Sequence, residues 1–347
     1  MFSEVRIKNR TLGPNHPVFI SAEIGVTCNY NMNLTRELID VVSSSGADAV
    51  KLIFWFPEEI MSDTSVVYTY DTTAGKKSVN MFEMLQALQF SFPQWQELKA
   101  YADQKEVILF STVNSPSGIQ FAEQLGLEAY KMSSWDFNYH SLWREIARLR
   151  KPMIVDSGPV NTMELAKVMN ILKEEGEPPC ILVHCPHTER PQEMNMLSIP
   201  YMRETFNVPT GYSSRGRDSE TDIMAVTLGS VYLEKRLTMN RNLPGHHHVI
   251  SLEPKEFETY VKTMRSVQAA VGVKDLHPSP VDLSERKRWF RHLVANRDLP
   301  MGTELGQGML EAKRPEEGVC PEYLPFFLGR VLKKSLKYNE AIGWDDV

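Results

Sequence analysis

Apolar and polar positions along the chain follow two rhythms. Eight short runs are apolar almost without interruption: "VFISAEIGV" (Val18–Val26), "AVKLIF" (Ala49–Phe54), "VILFST" (Val107–Thr112), "AYKMSS" (Ala129–Ser134), "PMIVDSG" (Pro152–Gly158), "CILVHC" (Cys180–Cys185), "PTGYSS" (Pro209–Ser214) and "VYLEKRLT" (Val231–Thr238). Short continuous runs of this kind suit strands buried on both faces, as in a parallel sheet. The stretches between them carry helical spacing. "LTRELIDVVSSSG" puts Leu34, Leu38, Ile39 and Val42 on one face and stops at Gly46, a residue suited to a helix C-terminus. "FPQWQELKAYADQ", "SGIQFAEQLG", "HSLWREIARLR" and "TMELAKVMNILKEEG" behave alike, and a further helix is expected around Glu256–Val271. A hairpin is expected at Val5–Arg10. Eight strand–helix units predict a (β/α)8 TIM barrel. A doubly wound open sheet is the alternative, weakened because no glycine-rich phosphate loop follows the first strand.

The rhythm breaks after residue 273. "KDLHPSPVDLSERKRW" (Lys274–Trp289) is rich in proline and charge and reads as a linker. The remainder has short strand and turn signals, which predicts a small β-rich domain. The expected division is therefore a barrel over 1–273, a linker over 274–289 and a small domain over 290–347. Composition adds limits. With 42% hydrophobic and 24% charged residues the chain reads as globular with ample core. A net charge of −6 argues against a nucleic-acid surface. No apolar run approaches the ~18 residues of a membrane span, and "MFSEVRIKNR" lacks the apolar centre of a signal peptide. Cys28, Cys180, Cys185 and Cys320 form no C-x-x-C pair and read as reduced thiols. The expectation is a cytoplasmic protein without membrane or nucleic-acid partners.

A barrel presents its chemistry at the C-terminal ends of its strands. Those ends carry Glu23, Lys51, Thr112, Lys131 with Ser134 and Asp136, Asp156 with Ser157, His184, Ser213 with Arg215, and Arg236. Four cations among hydroxyls are what a phosphate or carboxylate requires. The plainer reading is that the lysines run their apolar stems out of the strands to solvent. Glu23 is read as a general acid or base, or as the partner of a neighbouring lysine.

"FISAEIGV…NLTRELIDVVSSSGADAVKL", "MFEMLQALQFSFPQWQELKAYA", "YKMSSWD", "KPMIVDSG", "VPTGYSS" and "VYLEKRLT…PG…SLEP" resemble the sialic acid (N-acetylneuraminate) synthase family. The tail "LVANRDLPMGTEL…LEAKRPEEGVCPEYL…LGRVLKKSLKYNEAIGWDDV" resembles that family's C-terminal antifreeze-like (SAF) domain. The resemblance implies condensation of phosphoenolpyruvate with an N-acylated aldose, or its phosphate, into a nine-carbon 2-keto acid. It also implies a domain-swapped homodimer, the small domain of one subunit capping the barrel of its partner. Lys51, Thr112, Lys131, Ser134 and Ser213 match positions that hold phosphoenolpyruvate, and Glu23 matches a catalytic-site glutamate. Asp136 matches a contact to the sugar, and Arg314 an arginine offered to the neighbour's sugar.

The departures from that pattern fall around the pocket. The family holds Mn2+ or Mg2+ with two histidines; here Arg215 and Arg236 stand in their places. An acidic residue near the last strand is replaced by His247, within the run His246–His248. Leu52-Ile53 replaces Phe-Gln, Trp135 replaces a glycine, and "CPHTERP" replaces a segment bearing Asn and Tyr. A guanidinium stays protonated and does not ligate metals, so the inherited metal site is expected to be lost and no cofactor is predicted. A loop run of histidines is expected to be solvated. Two arginines in one pocket repel, so an anion is expected between them. Three functions follow: a metal-independent synthase of the sialic acid type with Arg215 and Arg236 polarising the acceptor carbonyl; the same barrel acting on a different anionic sugar or nucleoside-linked acid; or a non-catalytic descendant that binds a sugar acid.

Overall fold

The computed structural model describes residues 4–347; Met1–Ser3 of the expected barrel domain lie outside it. The chain divides into two compact units, Met1–Gly272 and Val273–Val347.

The first unit is a closed barrel of eight parallel strands. The strands are β1 (Phe19–Glu23), β2 (Ala49–Ile53), β3 (Ile108–Thr112), β4 (Tyr130–Met132), β5 (Met153–Asp156), β6 (Cys180–His184), β7 (Thr210–Ser213) and β8 (Tyr232–Arg236). Each of the eight apolar runs supplies one of them. A helix follows each strand: α1 (Met32–Ser45), α2 (Phe92–Gln104), α3 (Pro116–Leu125), α4 (His140–Ala147), α5 (Thr162–Glu174), α6 (Ser198–Phe206), α7 (Glu220–Thr227) and α8 (Pro254–Val271). Local chemistry sets their ends. Asn31 Oδ1 accepts from Leu34 N at 3.0 Å at the start of α1, and Gly46 ends it in the left-handed region. Asn161 and Glu164 form a capping box on α5.

The strands sort their side chains by parity. One set, including Ile20, Ala22, Val50, Leu52, Tyr130, Met132, Val155, Leu182, Tyr212 and Leu233, packs outward against the helices in the main core. The other, Phe19, Ala49, Ile108, Phe110, Ile154, Ile181, Val183 and Tyr232, fills the barrel interior together with Val5, Ile7 and Leu12. Those last three come from the N-terminal hairpin, Val5–Ile7 paired with Arg10–Leu12. The hairpin thus packs with the strand starts and plugs that end of the barrel. Burial of each such aliphatic side chain contributes about 1.5–3 kcal/mol. The opposite end, at the strand C-termini, is left for polar groups.

One element has no counterpart in the apolar pattern. Between β2 and α2 an exposed antiparallel hairpin, Val67–Thr72 with Gly75–Asn80, leads into a short helix, Met81–Ala87.

In the second unit, residues read as a linker contain a helix, α9 (Pro280–Trp289). Ser279 Oγ accepts from Asp282 N at 3.1 Å and Asp282 Oδ2 accepts from Ser279 N at 3.0 Å, a capping box with Pro280 in the first turn. Beyond it, His292–Ala295 pairs with Leu310–Lys313. Regular strand is limited to this pair; isolated bridges such as Leu299 with Leu336 join the remainder. Leu293, Leu299, Leu305, Phe327, Leu332, Leu336 and Ile342 form this unit's own core.

Candidate active site

Parity builds the site. Two residues beyond the inward-facing Phe110, Ile154 and Val183 come Thr112, Asp156 and Cys185. Glu23 follows Phe19 and Ser21 in the same way, Lys51 follows Ala49, and Glu234 and Arg236 follow Tyr232. These side chains line a cavity of about 580 Å3 with Lys131, Ser134, Asp136, Ser213, Arg215 and His247. Of the strand-end candidates, Glu23, Lys51, Thr112, Lys131, Ser134, Asp136, Asp156, Ser213, Arg215 and Arg236 reach this cavity. His184 and Ser157 do not line it, because their parity is that of Leu182 and Val155, toward the helices. His184 Nε2 instead meets Met194 O at 2.7 Å. Arg314 belongs to the second unit. Its Nε donates to Trp289 O at 2.7 Å and its guanidinium lies 5.6 Å from the centre of the Trp289 ring.

The lysines are not bare cations. Glu234, missed in the strand-end reading, lies between them. Its Oε1 accepts from Lys131 Nζ at 2.6 Å, Lys51 Nζ at 3.3 Å and Ser213 Oγ at 3.2 Å, and its Oε2 accepts from Tyr232 at 2.8 Å. Lys131 also pairs with Asp156 at 2.9 Å, and Lys51 pairs with Glu23. Glu23 is held in turn by Gly25, whose N–H donates to Oε1 at 2.6 Å; a Cβ there would stand 2.7 Å from Ile53 and 2.8 Å from that oxygen. Gly158, at φ +39°, leaves room for Ser134 in the same way.

Burial opposes every charge in this cluster, and neighbours decide the outcome. Burial works to lower Lys131, but Asp156 and Glu234 outweigh it and hold its ammonium above the ordinary lysine range. Burial brings Lys51 down to about 8 against the pull of Glu234. Glu234, despite burial, is held well below the usual carboxylate range by Lys131 and Lys51. Asp156 is raised by burial and by Glu234. Asp136 is pushed up to about 6 by burial alone.

The arginines differ from the lysines. Arg236 Nη1 donates to Ser214 O at 3.1 Å and Arg215 O at 3.3 Å. Arg215 Nη1 donates to His187 O at 3.0 Å, and its Nε lies 3.7 Å from Glu189. Both guanidiniums are thus directed at backbone carbonyls, which soften the repulsion expected between them. His187 was not singled out from the sequence; it lines the cavity, lies edge-on to Trp135 at 4.5 Å and has Nε2 3.4 Å from Ser134 Oγ.

The histidine run is packed rather than solvated. His246 and His248 are buried. His246 contacts the rings of Tyr68, Tyr70 and His247. His248 Nδ1 meets Thr238 Oγ1 at 2.7 Å and its Nε2 meets Asn29 Oδ1 at 3.2 Å. Burial drives His246 and His248 down to about 4 and, with Arg236, holds His247 far below the ordinary histidine value. All three are neutral near pH 7.

The divalent metal that the resemblance implies does not suit this donor set. Arg215 and Arg236 are not ligands, both His248 nitrogens are committed, and His247 stands where an acid is needed. Among the described residues no group of three or more His, Cys, Asp or Glu is placed to hold a metal ion.

A polar ligand does suit the cavity. Four of the buried side-chain atoms that lack a hydrogen-bond partner belong to residues lining it: Trp55 Nε1, Asn114 Oδ1, Asp156 Oδ1 and Arg236 Nε. The lining also includes the apolar side chains of Ile53, Ile60, Met81, Met84 and Leu85. Such a site can hold an oxyanion, move protons among carboxylates and hydroxyls, and pack the apolar face of a sugar.

Comparison with known proteins agrees with the fold. The model of the NeuB family matches residues 38–275 and that of the SAF domain matches residues 290–347. The chain is 29% identical over 330 residues to the N,N'-diacetyllegionaminic acid synthase of Campylobacter jejuni, covering 93% of this chain and 98% of that one. It is 27% identical over 342 residues to the N-acetylneuraminate-9-phosphate synthase of Homo sapiens, covering 96% and 93%. The crystal structure of an N-acetylneuraminic acid (sialic acid) synthetase from Leptospira borgpetersenii, in complex with citrate, superposes with a TM-score of 0.73 at 25% identity, covering 82% of this chain and 95% of that one. No helix of the described residues is long and apolar enough to cross a membrane. With a closed barrel, a matching family model over most of its length and relatives that make sialic-acid-type sugar acids, the chain belongs to the NeuB family and carries a SAF domain.

Proposed function

We propose that the protein condenses phosphoenolpyruvate with an aldehyde-bearing sugar to give a 2-keto-3-deoxy sugar acid of the sialic acid type, without a divalent metal. The observation that carries this reading is the gathering of Glu23, Lys51, Thr112, Lys131, Ser134 and Ser213 on one cavity at the strand C-termini, in a chain whose relatives are sugar-acid synthases. In this reading the lysine end receives the donor. C3 of phosphoenolpyruvate forms a bond to the acceptor's carbonyl carbon, and the carbonyl oxygen takes up a proton. Positive charge from the arginine pair stabilises the negative charge that grows on that oxygen. Water then adds to C2 and gives up its proton, for which Glu23 is the acceptor. The tetrahedral centre then breaks its C2–O bond to phosphate, its remaining hydroxyl proton leaves with the inorganic phosphate, and the 2-keto acid is left. The protein works as a homodimer in which Arg314 of one subunit faces the acceptor in the other.

The test is incubation with phosphoenolpyruvate labelled at C3 and a panel of N-acylated aldoses that includes phosphorylated and carboxylated members. Phosphate release that depends on the sugar, with the label in a new 2-keto acid, is expected. Sugar-independent hydrolysis, or no turnover with any aldehyde sugar, contradicts the reading.

A further inference from the structure

Arg236 is a half-buried cation whose Nε is fully buried, and it has no counter-ion. Among the described residues no carboxylate lies within ion-pair distance of it, whereas Lys51 and Lys131 each have two. Its Nη1 is used on two backbone carbonyls, and its Nε is buried with no partner. The unused edge of the guanidinium, Nε–H with the Nη2 beside it, is the edge that grips a carboxylate or phosphate through two parallel bonds. The carboxylates nearest in the cavity, Glu23 and Glu234, are taken by the lysines. His187 and His247 are held neutral by burial and by these arginines. Arg215 adds a second cation, with only the half-exposed Glu189 near it, at 3.7 Å. An uncompensated charge in a partly buried cavity is costly, and a ligand that brings the missing anion removes that cost.

We propose that Arg236, through its Nε–H and Nη2 edge, forms a second anion subsite, and that the acceptor is a sugar whose carboxylate or phosphate is held there while phosphoenolpyruvate occupies the lysine end and the charge of Arg215 serves the acceptor's carbonyl oxygen. This rests on the donor placement proposed above. Glu234, whose one oxygen binds both lysines, belongs to the donor end. A neutral sugar would leave Arg236 uncompensated.

Calorimetry on the full chain tests this. With phosphoenolpyruvate at saturation, the protein is titrated with malonate or with inorganic phosphate. One further equivalent should bind; preference for malonate marks a carboxylate subsite and preference for phosphate a phosphate subsite. Arg236→Gln should weaken this second event at least tenfold and leave phosphoenolpyruvate affinity within about twofold, with Arg236→Lys between the two. The proposal is overturned if the loaded protein takes up no second anion, or if Arg236→Gln weakens both events alike. Should the wild-type protein not bind phosphoenolpyruvate at all, the donor placement fails on its own; titration of the free protein still reads the subsite, and binding of either anion that is indifferent to Arg236→Gln overturns it.

Discussion

Glu234 uses a single carboxylate to hold Lys131 at 2.6 Å, Lys51 at 3.3 Å and Ser213 at 3.2 Å, so two of the four cations in the cavity are neutralised from within. Asp136 is the opposite case: it lines the same cavity, has no ion-pair partner among the described residues, and is pushed up to about 6 by burial. A carboxyl whose folded value lies above its unfolded value stabilises the fold below the unfolded value, near 4, and loses that contribution as pH rises through about 6. The wild-type protein should therefore lose stability relative to Asp136→Asn between pH 4 and 7, as the half-buried carboxylate ionises. Thermal melts of the two proteins across that range measure it; a difference in melting temperature that does not change with pH would contradict the account.

At the scale of elements, the barrel was legible because its strands are buried on both faces and its helices on one. All eight apolar runs became strands. Site residues were legible to the extent that strand ends and parity agree: Glu23, Lys51, Lys131 and Ser213 satisfy both. His184 sits at a strand end with outward parity and bonds Met194 instead. Glu234 lies inside β8 rather than at its end, but Tyr232, Glu234 and Arg236 alternate inward while Lys235 turns out to Asp222 at 2.8 Å, so the alternation alone could have found it. His187 sits in the loop after β6, and no periodic signal marks it. The hairpin over 67–80 was passed over because its alternation is polar and exposed. The helix Pro280–Trp289 was hidden by its proline and charge, although Ser279 and Asp282 bear the spacing of a capping box. The histidine run misled because a loop position says nothing of the tyrosines from a distant hairpin that pack on it.

At the scale of the molecule, the two units each carry a core of their own, and the functional question is what the second does for the first. In the swapped homodimer proposed here, Arg314 serves the acceptor and not the donor. Arg314→Ala should then raise the acceptor KM and leave that of phosphoenolpyruvate nearly unchanged; a monomer in sedimentation at micromolar concentration would contradict this. The central claim of the proposal is that the cavity works with guanidiniums where the resemblance implies a metal. Arg215 and Arg236 do not ligate, and His248 is tied to Thr238 and Asn29, so chelation is expected to leave the proposed activity unchanged. The most direct measurement is sugar-dependent phosphate release from phosphoenolpyruvate by protein stripped of metal and assayed in excess EDTA. The account predicts an unchanged rate; activity lost in EDTA and restored by Mn2+ would contradict it.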